Sequence, residues 1–129
     1  FANEVPPRLA AVIDWEMTTI GDPLLDLGWV LISWPPGGDD MTRYVSLDGM
    51  PSRDDLLQHY ETISGRSTED IDYYVVLARW KLGIVLEMSY AKFASGGAVD
   101  PKVEAFGTLV LELIRKAAEL SRTAKTKAV

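Results

Sequence analysis

Residues 10–31 read AAVIDWEMTTIGDPLLDLGWVL. Asp14 follows a run of small and branched apolar residues, Leu9 to Ile13, that shows no polar alternation. Such a run suits a strand covered on both faces, and places Asp14 where the backbone leaves the core. Glu16 comes two positions later, and in extended chain such a pair points to one side. Two hard oxygen donors on one side suit Mg²⁺, which takes one or two protein carboxylates and leaves its other positions to water and phosphate. A plainer alternative stays open, in which both are turn acids bonded to nearby backbone N–H groups. Asp22-Pro23 then opens a helix, since Asp is a favoured N-cap and Pro is tolerated at the first helical position. The predicted helix covers 22–34 and stops at Pro35-Pro36-Gly37-Gly38. Leu24, Leu25, Leu27, Trp29, Val30, Leu31 and Ile32 surround it, which predicts a fully buried helix. Asp26 lies inside it, and a buried carboxylate needs several donors. The N–H groups of its own helix are already used, so Arg or Lys side chains or the N–H groups of another segment must supply them. The alternative for Asp26 is an acid near a helix start, favoured by the dipole.

Upstream, Phe1–Asn3 and Leu9–Ile13 read as the arms of a β-hairpin over 1–14, turning at Val5-Pro6-Pro7-Arg8. A two-stranded hairpin is marginal alone, and the chain does not start with Met, so the expectation is a segment from within a larger polypeptide. Downstream, 35–51 is a Pro-, Gly- and Asp-rich loop. Ser52 with Asp55 forms a capping-box pattern, followed at helical spacing by Leu56, Leu57, Tyr60 and Ile63, with Gly65 as C-cap. A longer helix is predicted from Ser67 or Thr68. Its stripe of Ile71, Tyr74, Val75, Ala78, Leu82, Val85, Leu86, Ser89 and Phe93 holds the helical period until Gly96-Gly97. Asp100-Pro101 repeats the start signal, and Val103, Phe106, Val110, Leu113, Ile114, Ala117 and Leu120 give a last helix its core face. The basic tail SRTAKTKAV is expected to fray. The fold class is therefore mainly α with a short N-terminal β-hairpin: hairpin 1–14, buried helix 22–34 and a helical subdomain over 52–124.

The 129 residues suffice for one core, and 47% hydrophobic with 25% charged residues is ordinary for a globular chain. A net charge of −6 argues against a nucleic-acid surface. No apolar run reaches membrane-spanning length. The absence of cysteine removes disulfides and thiolate metal sites and fits a reducing, cytoplasmic setting.

The string Ile13-Asp14-Trp15-Glu16, Gly21-Asp22-Pro23, Asp26-Leu27 resembles the signature of the aminoglycoside phosphotransferase family, within the protein-kinase-like fold. It looks closest to the branch that includes the kinase-like domains of certain acyl-CoA dehydrogenases. YYVVLARWKLGIVLEMSYAKF, residues 73–93, resembles that family's long C-terminal helix. The resemblance implies part of the C-terminal lobe of an α+β kinase-like fold. It implies Mg²⁺ as cofactor and ATP as cosubstrate, with a small-molecule hydroxyl as acceptor. Asp14 corresponds to the metal-binding Asp that protein kinases carry in Asp-Phe-Gly, and Glu16 completes an Asp-x-Glu pair as a further metal contact. Asp26 corresponds to the helix-borne Asp that accepts backbone N–H bonds from the catalytic loop, while Asp22 and Pro23 cap that helix. Trp15 adjoins the metal site and is a candidate substrate contact.

The departures are omissions. No H-x-D-x-x-x-x-N catalytic loop, Gly-rich loop or ATP-anchoring Lys matches, so no catalytic residue is assigned within this chain. His59 has no partner acid or nucleophile at suitable spacing and reads as a helix-surface histidine, and PPGGDDMTRY lacks the Lys and the preceding strand of a phosphate loop. The expectation is a phosphotransferase segment that is inactive alone and self-associates through uncovered apolar faces. The alternative is a non-catalytic helical binding module that keeps the kinase-like fold.

Overall fold

The computed structural model describes residues 5–6, 8–15, 18–34, 49–97 and 101–123. Helix α1 spans Leu24–Leu31, α2 Arg53–Ser64, α3 Ile71–Ala94 and α4 Phe106–Thr123, the last entered through a 3₁₀ turn at Pro101–Ala105. The core is built on α3, against which α1 and α4 both pack. Leu24, Leu27, Leu31 and Ile32 meet Ile71, Val75, Ala78, Leu82 and Leu113, with Leu56, Leu57 and Tyr60 of α2 at the margin.

The starts of α1 and α2 follow their sequence signals, whereas α3 begins at Ile71, after the predicted Ser67 or Thr68. Asp22 Oδ1 accepts the Leu24 N–H at 2.9 Å, and the Asp22 carbonyl accepts the Leu25 N–H at 3.1 Å. In α2 the capping box is complete: Ser52 Oγ accepts the Asp55 N–H and Asp55 Oδ2 accepts the Ser52 N–H, each at 3.1 Å. Gly65, at φ 67°, ends that helix by donating its N–H to the Glu61 carbonyl at 2.9 Å. The left-handed φ is what selects glycine there.

Helix α2 buries none of its residues completely and is held by polar contacts at both ends. Arg53 pairs with Asp72 of α3 at 2.6 Å. Glu61 Oε1 accepts both the N–H and the hydroxyl of Thr68, each at 2.7 Å, and closes the turn into α3. Helices α3 and α4 run antiparallel, because Gly83 faces Ile114 while Tyr90 faces Gly107. A Cβ on Gly107 would stand 2.7 Å from the Tyr90 ring, so glycine sets how closely the two helices approach.

Three expectations need correction. Of the hairpin over 1–14, residues 1–4 and Pro7 lie outside the described residues. Apart from an isolated bridge at Arg8, the described part carries no strand. Leu9, Val12 and Ile13 are exposed rather than covered on both faces. Strand pairing needs a neighbouring ladder and a packed face, and the described residues provide neither. Second, the helix predicted over 22–34 is shorter, and it is buried on one side only. Leu24, Leu27, Gly28 and Leu31 face α3, whereas Asp26, Trp29 and Val30 face outward. One partner helix covers one stripe. Third, Ile63, Val85 and Ile114, placed on core faces by periodicity, are exposed. The predicted loop lies outside the described residues over 35–48, as does the tail over 124–129.

Candidate functional site

The segment that leads into α1 carries the candidate chemistry. Asp14 has φ 72°, and it is the one non-glycine with positive φ among the described residues. Asp tolerates the left-handed region better than most side chains, and strain of this kind concentrates at functional positions. The chain turns tightly there: Trp15 Nε1 donates to the Val12 carbonyl at 2.7 Å, and the Thr18 N–H donates to the Trp15 carbonyl at 3.0 Å. Asp14 and Trp15 are both exposed, so the carboxylate and the indole face solvent together. Glu16 lies outside the described residues, and with it the geometry of the Asp-x-Glu pair.

Asp22 uses both carboxylate oxygens. Oδ1 caps α1 through Leu24, and Oδ2 accepts the Tyr74 hydroxyl at 2.8 Å across to α3. The Leu24 N–H, then the Tyr74 hydroxyl, hold this carboxyl below its ordinary range, with a smaller pull from Arg66 and an opposing push from burial. The same bond raises the Tyr74 hydroxyl, because its ionisation would set two negative charges side by side.

Asp26 is exposed, contrary to the burial expected for it. It projects from the middle of the outer face of α1, with Trp29 and Val30 on either side, because positions 26, 29 and 30 fall opposite 24, 27, 28 and 31 on a helical wheel. His59 is exposed on α2 and stands apart from these acids in sequence and element.

Among the described residues, no three His, Asp or Glu side chains gather into a metal cage. The donor set nevertheless fits Mg²⁺, an ion that needs only one or two protein carboxylates when phosphate and water supply the rest. Asp14 offers such an oxygen on an open turn.

Tyr74 packs partly buried against the core, as its stripe position predicted, and makes a contact that sequence reasoning missed. Periodicity assigned it to the core stripe, yet its hydroxyl reaches Asp22. The available signal was chemical: a tyrosine on a packed face needs a partner for its O–H. Arg79, 8% exposed on α3, was also missed, since nothing in the apolar periodicity marks a cation.

An open acid-bearing turn thus runs into an Asp-capped helix, which packs on a long helix. Residues 4–67 match the phosphotransferase enzyme family, so the chain is related to that family through the stretch that holds Asp14, Glu16, Asp22 and Asp26. The chain is also similar to acyl-CoA dehydrogenase family member 11 of Gallus gallus, at 28% identity over 124 residues. The proteins of the same name from Homo sapiens and Pongo abelii each match at 26% identity. Each alignment covers 89% of this chain and 16% of the relative, so the chain spans about a sixth of the length of these relatives. No solved structure matches the chain.

Proposed function

We propose that this chain supplies the metal-binding segment of an ATP- and Mg²⁺-dependent phosphotransferase that phosphorylates a hydroxyl of a small molecule. The observation that carries the reading is Asp14, held at φ 72° and exposed on a turn just ahead of the capped helix α1. Phosphoryl transfer asks a protein chiefly to position groups and to offset developing charge. Asp14 and Glu16 are the residues that would hold Mg²⁺, which when bound offsets charge on the phosphate oxygens. Asp22 fixes the start of α1. Asp26, on the outer face of α1, would accept N–H groups from a catalytic-loop segment packed over that face. Trp15 is the substrate-side candidate beside Asp14. The sequence contains no H-x-D-x-x-x-x-N pattern, so the 129 residues alone lack the base and one metal ligand and are inactive by themselves.

The test is Asp14→Asn in the intact protein that carries this sequence. The expected result is loss of ATP-dependent transfer by a factor of about 10² or more, the usual effect of removing a group that stabilises transition-state charge, with the helical circular dichroism unchanged. Near-normal turnover with Mg²⁺ would remove Asp14 from the metal role. An intact wild-type protein with no transfer to any hydroxyl acceptor would leave the non-catalytic binding module as the reading.

A further inference from the structure

We draw no further inference here: the strongest candidate, the exposed apolar outer face of α3 around Tyr73, Trp80, Ile84 and Met88, carries nothing because no feature of the structure shows what covers it.

Discussion

Glycine 28 and aspartate 22 bracket the contact that seats α1, and each acts through Tyr74. A side chain at Gly28 meets backbone, which cannot swing aside as a side-chain tip can. Gly28→Ala should therefore destabilise the fold by about 1–3 kcal/mol, the usual cost of overpacking, as read by urea denaturation. Gly21→Ala is the matched control, because a Cβ there meets nothing within 4 Å, and its midpoint should stay near that of the wild type. Equal effects would mean that α1 does not rest on Tyr74 in solution. At this scale the sequence was informative wherever a residue type carries its own local geometry. Asp22-Pro23 announced a helix start, and Gly65 a left-handed stop. The close approach at Gly28 left no trace, because a glycine inside an apolar run looks the same whether or not a neighbour presses on it. The exposure of Asp26 escaped for a related reason: a hydrophobic helix shows how much surface wants cover, but not which side receives it.

Among the elements, α2 is the one whose attachment depends on charge. It has no completely buried residue, so beside the marginal packing of Leu56, Leu57 and Tyr60 its place is set by the Arg53–Asp72 pair and the two bonds from Thr68 to Glu61, while the capping box holds its own first turn. Hydrogen bonds from the Ser52 side chain and then its backbone lower the Asp55 carboxyl, and bonds from the Thr68 hydroxyl and then its N–H lower that of Glu61. Both folded-state values lie below the unfolded ones. The stability these groups contribute is therefore complete above the ordinary carboxylate range near about 4 and is lost as pH falls through their lowered values. On acidification below about pH 4, α2 amides should lose hydrogen-exchange protection before those of α3, after correction for intrinsic rates. Glu61→Gln should flatten that dependence for the last turn of α2. Simultaneous loss in both helices would show that α2 has no separate acid-labile docking. The capping box and Gly65 were legible in four- and one-residue patterns. The pairing of Arg53 with Asp72, across nineteen positions, was not, since a charge on a helix surface does not name its partner.

For the whole molecule, the decisive quantity is apolar surface left uncovered on several elements at once. Helix α3 buries Ile71, Val75, Ala78 and Leu82 on one side and exposes Tyr73, Trp80, Ile84 and Met88 on the other. Trp29 and Val30 of α1 and Leu111 of α4 add to it. An uncovered apolar helix face of this kind seeks cover, so the 129-residue chain studied alone should self-associate at micromolar concentration. The net charge of −6 works against this, because like-charged copies repel at long range. Salt separates the two forces. Screening shortens the repulsion to about 8 Å at physiological ionic strength and leaves apolar contact in place. The light-scattering mass should therefore rise as salt is added, whereas an interface built on ion pairs would dissociate. Trp80→Glu combined with Met88→Glu removes the largest part of the α3 face without touching its buried side, and should return the chain to monomers with its helices intact. A wild-type chain that stays monomeric at high salt would mean that the outer face of α3 is covered in solution by part of the same chain.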